Sequence, residues 1–134
     1  MNRYLNLEEK ILIKRVLEIN DTILDNIIIY INQTWIKYTF YDYYCHNQNG
    51  SIYGMTFCNS IYFSFDPDFN ICEHMELLIH EIVHILQCNN SCCCIIMVRY
   101  IWECMRYGLH GMYEKDGTLE FEATKNQKMV RLIV

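Results

Sequence analysis

The chain has 134 residues, 52% apolar and 20% charged, which suits one packed domain over residues 1–134 and excludes a disordered chain. A net charge of −5 offers no basic footprint for nucleic acid. No apolar run approaches the roughly 20 residues of a membrane span, and the opening MNRYLNLEEK has acids where a signal peptide is apolar. The expected location is therefore the cytoplasm, or export without a classical signal.

Residues 5–19 read as an amphipathic helix, with Leu5, Leu12, Val16 and Ile19 at helical steps and Asn20–Asp21 or Asp25–Asn26 ending the region. Residues 26–33 (NIIIYINQ) are β-branched and predict a strand. Residues 35–44 are aromatic and fit a strand or a packed loop, and residues 46–50 (HNQNG) have turn chemistry. Residues 55–65 read as a hairpin about Cys58, Asn59 and Ser60, stopped by Asp66, Pro67 and Asp68.

Three helices follow, over residues 73–89, 92–107 and 118–131, the last capped by Asp116 or Thr118. The middle one is apolar nearly all round, which predicts burial. Helix, a few strands, then helices predict an α+β fold with a small antiparallel or mixed sheet.

The eight cysteines are Cys45, Cys58, Cys72, Cys88, Cys92, Cys93, Cys94 and Cys104. They lack the paired spacing of a zinc ribbon and read as small packing residues.

The chemistry lies in His80-Glu81-Ile82-Val83-His84, an HExxH pentad. On a helix, residues four apart are about 40° apart around the axis, so both imidazoles project from one side and can grip one Zn²⁺. Glu81 is close enough to take a proton from a metal-activated water. A catalytic zinc needs a third protein ligand. His46, His74 and His110 are available, as are Glu103, Glu114, Glu120 and Glu122.

On the last helix Glu122 shares a side with Leu119, Ala123, Asn126, Val130 and Ile133, while Glu120 falls about 160° away with Thr124, Lys128 and Arg131. This points to Glu122 as the buried ligand and Glu120 as a surface acid. Glu103, flanked by Arg99 and Arg106 at i−4 and i+3, is the rival and reads as part of a salt-bridge stripe. Cys88 lies one turn beyond His84, where a thiol could block the open position. His74 reads as an exposed first-turn residue. Tyr107, His110 and Tyr113 are candidates for stabilising an oxyanion, His110 and Tyr113 foremost.

HEIVHILQ, then RYIWECMRYG, then LEFEA resemble the small bacterial zincin-like metallopeptidase domains of the gluzincin type, at the size of minigluzincins. In that class a helix after HExxH bears a Glu ligand commonly followed by Ala, which Glu122-Ala123 matches, and TFCNSIYFS resembles the strand lining the substrate cleft. The resemblance implies a zincin-like fold: an N-terminal helix, a small sheet, the active-site helix and two more helices. It implies a zinc-dependent endopeptidase acting on a peptide or protein, with His80, His84 and Glu122 on the metal and Glu81 as base. The strand at residues 61–65 would bind substrate by strand addition. Some minigluzincins are held latent by their C-terminal segment, here residues 125–134. The alternatives are a non-catalytic or latent zinc module acting through a protein partner, and an α+β interaction domain with two core histidines.

Overall fold

The computed structural model describes residues 2–35 and 54–133, without the side chains of Leu109, His110 and Ile133. The readings at 36–44 and 46–50 lie outside the described residues. Among the described residues nine elements follow in chain order: β1 (Asn2–Tyr4), α1 (Leu7–Val16), α2 (Asp21–Asp25), β2 (Ile28–Tyr30), β3 (Gly54–Phe57), β4 (Ser60–Phe63), α3 (Cys72–Asn89), α4 (Cys93–Glu114) and α5 (Leu119–Ile133). The fold is α+β, with a mixed four-stranded sheet in the order β1-β2-β4-β3.

Local chemistry sets the starts of these elements. Asn6 and Glu9 form a reciprocal capping box, so α1 begins at Leu7 rather than Leu5. A second Asn cap, Asn20 accepting from Ile23 N at 2.9 Å, starts α2 where the sequence suggested only a stop. Cys58, at φ +55°, and Asn59 make the tight turn between β3 and β4.

The sheet turns one face to the core. Ile29 on β2 and Ile61 on β4 are cross-strand partners and fully buried. The next pair, Tyr30 and Tyr62, points the other way and stacks at 4.7 Å. Within the sheet, β4 is parallel to β2 on one side and antiparallel to β3 on the other. Both edges of the strand expected to receive substrate are thus occupied, and the outer edge belongs to β3.

Helix α3 crosses the buried face. Met75, Leu78, Ile79, Ile82 and Ile85 are at most 1% exposed, each stabilising the fold by roughly 1.5–3 kcal/mol. Its polar stripe of Glu76, His80, Glu81 and Gln87 is buried as well. Most of that burial comes from α5, which packs along α3 through Leu119, Ala123 and Val130, while β3 covers Glu81. Thr118 caps α5 by accepting from Phe121 N at 3.2 Å.

Helix α4 corrects one expectation. It is not buried: Ile95, Val98, Ile101, Trp102 and Met105 are 54–82% exposed. The helix packs on one side only, so an all-round apolar sequence leaves its outer face bare. The expected stop after residue 107 appears as a break at Gly108, whose φ of 77° interrupts the helix before it resumes to Glu114. Among the described residues, no single helix is long and apolar enough to cross a membrane.

Candidate metal centre

Helical spacing brings the two imidazoles of α3 to a ring separation of 5.0 Å. Ligand atoms of His80, Glu81 and His84 all lie within 4.8 Å of one another, a group that could hold a metal ion. A fourth residue meets them from α5. Glu120 Oε2 is 3.2 Å from His80 Nε2, and Glu120 Oε1 is 2.7 Å from His84 Nε2.

The far side of each ring is fixed by an amide. His80 Nδ1 lies 2.9 Å from Gln127 Oε1, and His84 Nδ1 lies 2.8 Å from Gln87 Oε1. An amide oxygen only accepts, so each Nδ1 donates its hydrogen. Gln87 is itself oriented, since its Nε2 donates to the Leu119 carbonyl at 3.0 Å. Both rings therefore turn Nε2 toward the Glu120 carboxylate, the arrangement that supporting amides give to metal-ligating histidines.

The electrostatics of the group reflect that convergence. Burial opposes the charged form of His84, but the Glu120 carboxylate outweighs it and holds the ring up to about 9. Burial would raise the Glu120 carboxyl, yet His84 and His80 hold it well below the usual carboxylate range. Burial pushes Glu81 up, with His80, His84 and Thr56 opposing it. A proton between His84 and Glu120 thus supplies positive charge where two imidazoles and a carboxylate converge.

One donor separation also matches that of a tetrahedral ion. Metal–ligand bonds near 2.0–2.1 Å put neighbouring ligand atoms roughly 3.3 Å apart. The His80–Glu120 separation of 3.2 Å matches this. The 2.7 Å His84–Glu120 contact is shorter, the length of a charge-assisted hydrogen bond.

Glu120, and not Glu122, is the buried carboxylate: Glu120 is 3% exposed and Glu122 faces solvent. The reason lies in the helix geometry. Leu119, Ala123 and Val130 form the apolar stripe, and each glutamate flanks it by about 60°. Thr124, Lys128 and Arg131 made the Glu120 flank look solvated. That flank instead faces α3, where Arg131 Nε meets Glu76 Oε1 at 2.6 Å.

Glu103 is buried but engaged elsewhere. It pairs with Arg99 at 2.9 Å and accepts from Leu119 N at 2.8 Å, fixing the start of α5 and so the place of Glu120. Cys88 lines the cleft together with Cys93. His74 is half-buried, its Nδ1 accepting from Asp68 N at 2.9 Å. Tyr113 is half-buried with its ring stacked on His80, centroids 6.4 Å apart. His110 lies in α4 just past the Gly108 break, with its side chain outside the described part. Tyr107 packs on Trp102 instead.

The group forms the floor of a cleft of about 270 Å³, walled by β3 on one side and α4 on the other. Sequence reasoning missed several of its residues. Thr56 Oγ1 on β3 lies 3.1 Å from both the Glu81 carbonyl and Glu81 Oε2. Gly54 allows that approach, because a Cβ there would sit 3.2 Å from Glu81 Cγ. Tyr100 of α4 also lines the cleft. The heptad step from Glu120 to Gln127 was the one sequence signal for the α5 side. The chain matches no protein-family model, no curated protein and no solved structure.

Proposed function

We propose that the chain is a zinc-dependent metallopeptidase in which His80, His84 and Glu120 hold the ion and Glu81 is the general base. The observation that carries this reading is the shared orientation of the two rings. Gln127 and Gln87 each take an Nδ1 hydrogen, leaving both Nε2 atoms directed at one carboxylate. Two imidazoles and one carboxylate are the donor set of catalytic zinc. When bound, zinc acidifies water and polarises a carbonyl.

The remaining work falls to residues of the chain. Glu81, held by Thr56, accepts the proton of the attacking water. As the C–N bond breaks, Glu81 returns that proton to the leaving nitrogen. β3 lines the cleft and is an edge strand among the described residues, the position at which an extended peptide would add. Ile96 and Met97 of α4 line the cleft and favour apolar side chains beside the scissile bond.

The test is metal content by elemental mass spectrometry, together with hydrolysis of a quenched peptide library. One zinc per chain is expected, with cleavage lost on chelation and restored by zinc. No stoichiometric metal after zinc is supplied would overturn the reading. The exposed apolar face of α4 favours a second reading, a zinc module acting through a protein partner. Bound zinc without hydrolysis would select it.

A further inference from the structure

Outside the metal group, the cleft wall brings two thiols together from distant parts of the chain. Cys58 sits in the turn between β3 and β4, and Cys93 is the first residue of α4. They are 35 residues apart, yet Cys93 Sγ is 2.8 Å from Cys58 Sγ. Both line the cleft whose floor holds His80, Glu81 and His84. The turn belongs to the β3 wall and the helix start to the α4 wall. The contact therefore joins the two walls at one end.

We propose that Cys58 and Cys93 are a thiol–disulfide site that crosslinks the walls of the cleft. A disulfide needs its sulfurs about 2.05 Å apart, less than 1 Å closer than they stand. The co-reactant is a small-molecule disulfide. A thiolate of the pair attacks it and releases one small thiol. The second thiolate then displaces the other and closes the Cys58–Cys93 bond. Two electrons pass to the small disulfide, and the two protein thiol protons end on the two thiols released. This inference stands independently of the metal assignment.

Neighbouring thiols supply the competing outcomes. Cys88, at the end of α3, lines the same cleft and raises the Cys93 pKa. Cys92 is exposed, and the backbone N–H groups of Cys94 and Ile95 lower its pKa, so it reacts readily with reagents in solvent.

The experiment equilibrates the reduced full chain in buffers of increasing oxidised-to-reduced glutathione ratio. Free thiols are then trapped with N-ethylmaleimide and peptides are mapped by mass spectrometry. The expected product is one crosslinked pair, Cys58 with Cys93, reversed by dithiothreitol. Closing this 35-residue loop should raise Tm by about 10 °C. C58S and C93S should each lose both the crosslink and the Tm rise, while C72S, remote from the pair, keeps both. Recovery of both cysteines as alkylated thiols, while Cys92 or Cys94 carries glutathione, would overturn the proposal. So would a Cys88–Cys93 bond in its place. An extra equivalent of zinc on the reduced chain, lost in C58S, would replace it with a thiolate metal site.

Discussion

Gln127 follows Glu120 by two turns of α5, and the two side chains grip opposite nitrogens of one His80 ring. Glu120 Oε2 meets Nε2 at 3.2 Å, and Gln127 Oε1 meets Nδ1 at 2.9 Å. If this ring is a metal ligand, the amide sets its tautomer and orientation. Losing such a partner typically weakens metal binding by about 10–100-fold. Q127L should therefore bind zinc about 10–100-fold more weakly, measured by competition with a chromophoric chelator. Unchanged affinity would show that Gln127 does not orient a ligand.

The two glutamates at the start of α5 should behave oppositely. E120Q removes a buried carboxylate from two imidazoles, and stoichiometric zinc should be lost. E122Q changes a solvent-facing group and should keep its zinc, with stability altered by no more than about 0.5 kcal/mol. Zinc titrations of the two variants decide the matter. Retention by E120Q with loss by E122Q would restore the assignment that the apolar pattern of α5 first suggested.

That reversal marks how far the sequence could be read. HExxH spacing places His80, Glu81 and His84 together because a helix repeats every 3.6 residues. Helices α1, α3 and α5 were legible within a few residues for the same reason, while α2 was not foreseen and α4 runs seven residues past its expected end; the hairpin about Cys58 and Asn59 followed from turn chemistry. Position around α5 was harder, because Glu120 and Glu122 flank the same apolar stripe almost symmetrically. Only packing against α3, through Arg131–Glu76 and Gln127–His80, breaks the tie. Thr56 was invisible for a related reason: its hydroxyl meets Glu81 across a 25-residue separation set by the register of β3. The bare face of α4 was misread because apolarity states what a helix can bury, not how many neighbours cover it.

Thr56 gives a prediction specific to the base. T56V keeps the side-chain shape and removes the hydroxyl 3.1 Å from Glu81 Oε2. A hydrogen bond to a charged group contributes about 1.5–3 kcal/mol, so kcat should fall about tenfold or more while one zinc per chain remains. The Thr56 bond also opposes the rise in the Glu81 pKa caused by burial. The acid limb of the kcat/KM profile should therefore move to higher pH in T56V. A variant with wild-type kcat and an unmoved acid limb would remove Thr56 from the mechanism.

Stability of the metal-free chain should depend on pH in a direction set by the same cluster. Glu120 has a depressed pKa in the fold, so its contribution is present above the ordinary carboxylate pKa of 4.5 and lost as pH falls below it. His84 is raised from 6.5 to about 9, so its contribution is complete below 6.5 and lost as pH rises toward 9. Glu81, raised by burial, adds a loss with rising pH that begins in the carboxylate range. Tm of the chelator-treated protein should therefore be highest between about pH 4.5 and 6.5 and should decline steadily from there to pH 9. On the proposed assignment zinc would replace the His84 proton and bind more strongly as pH rises, so the zinc-loaded chain should lose this decline. E120Q removes the carboxylate that raises His84, and its metal-free form should show a shallower slope above pH 6.5. A chelated wild-type chain with constant Tm from pH 6.5 to 9 would show that no proton is held between His84 and Glu120.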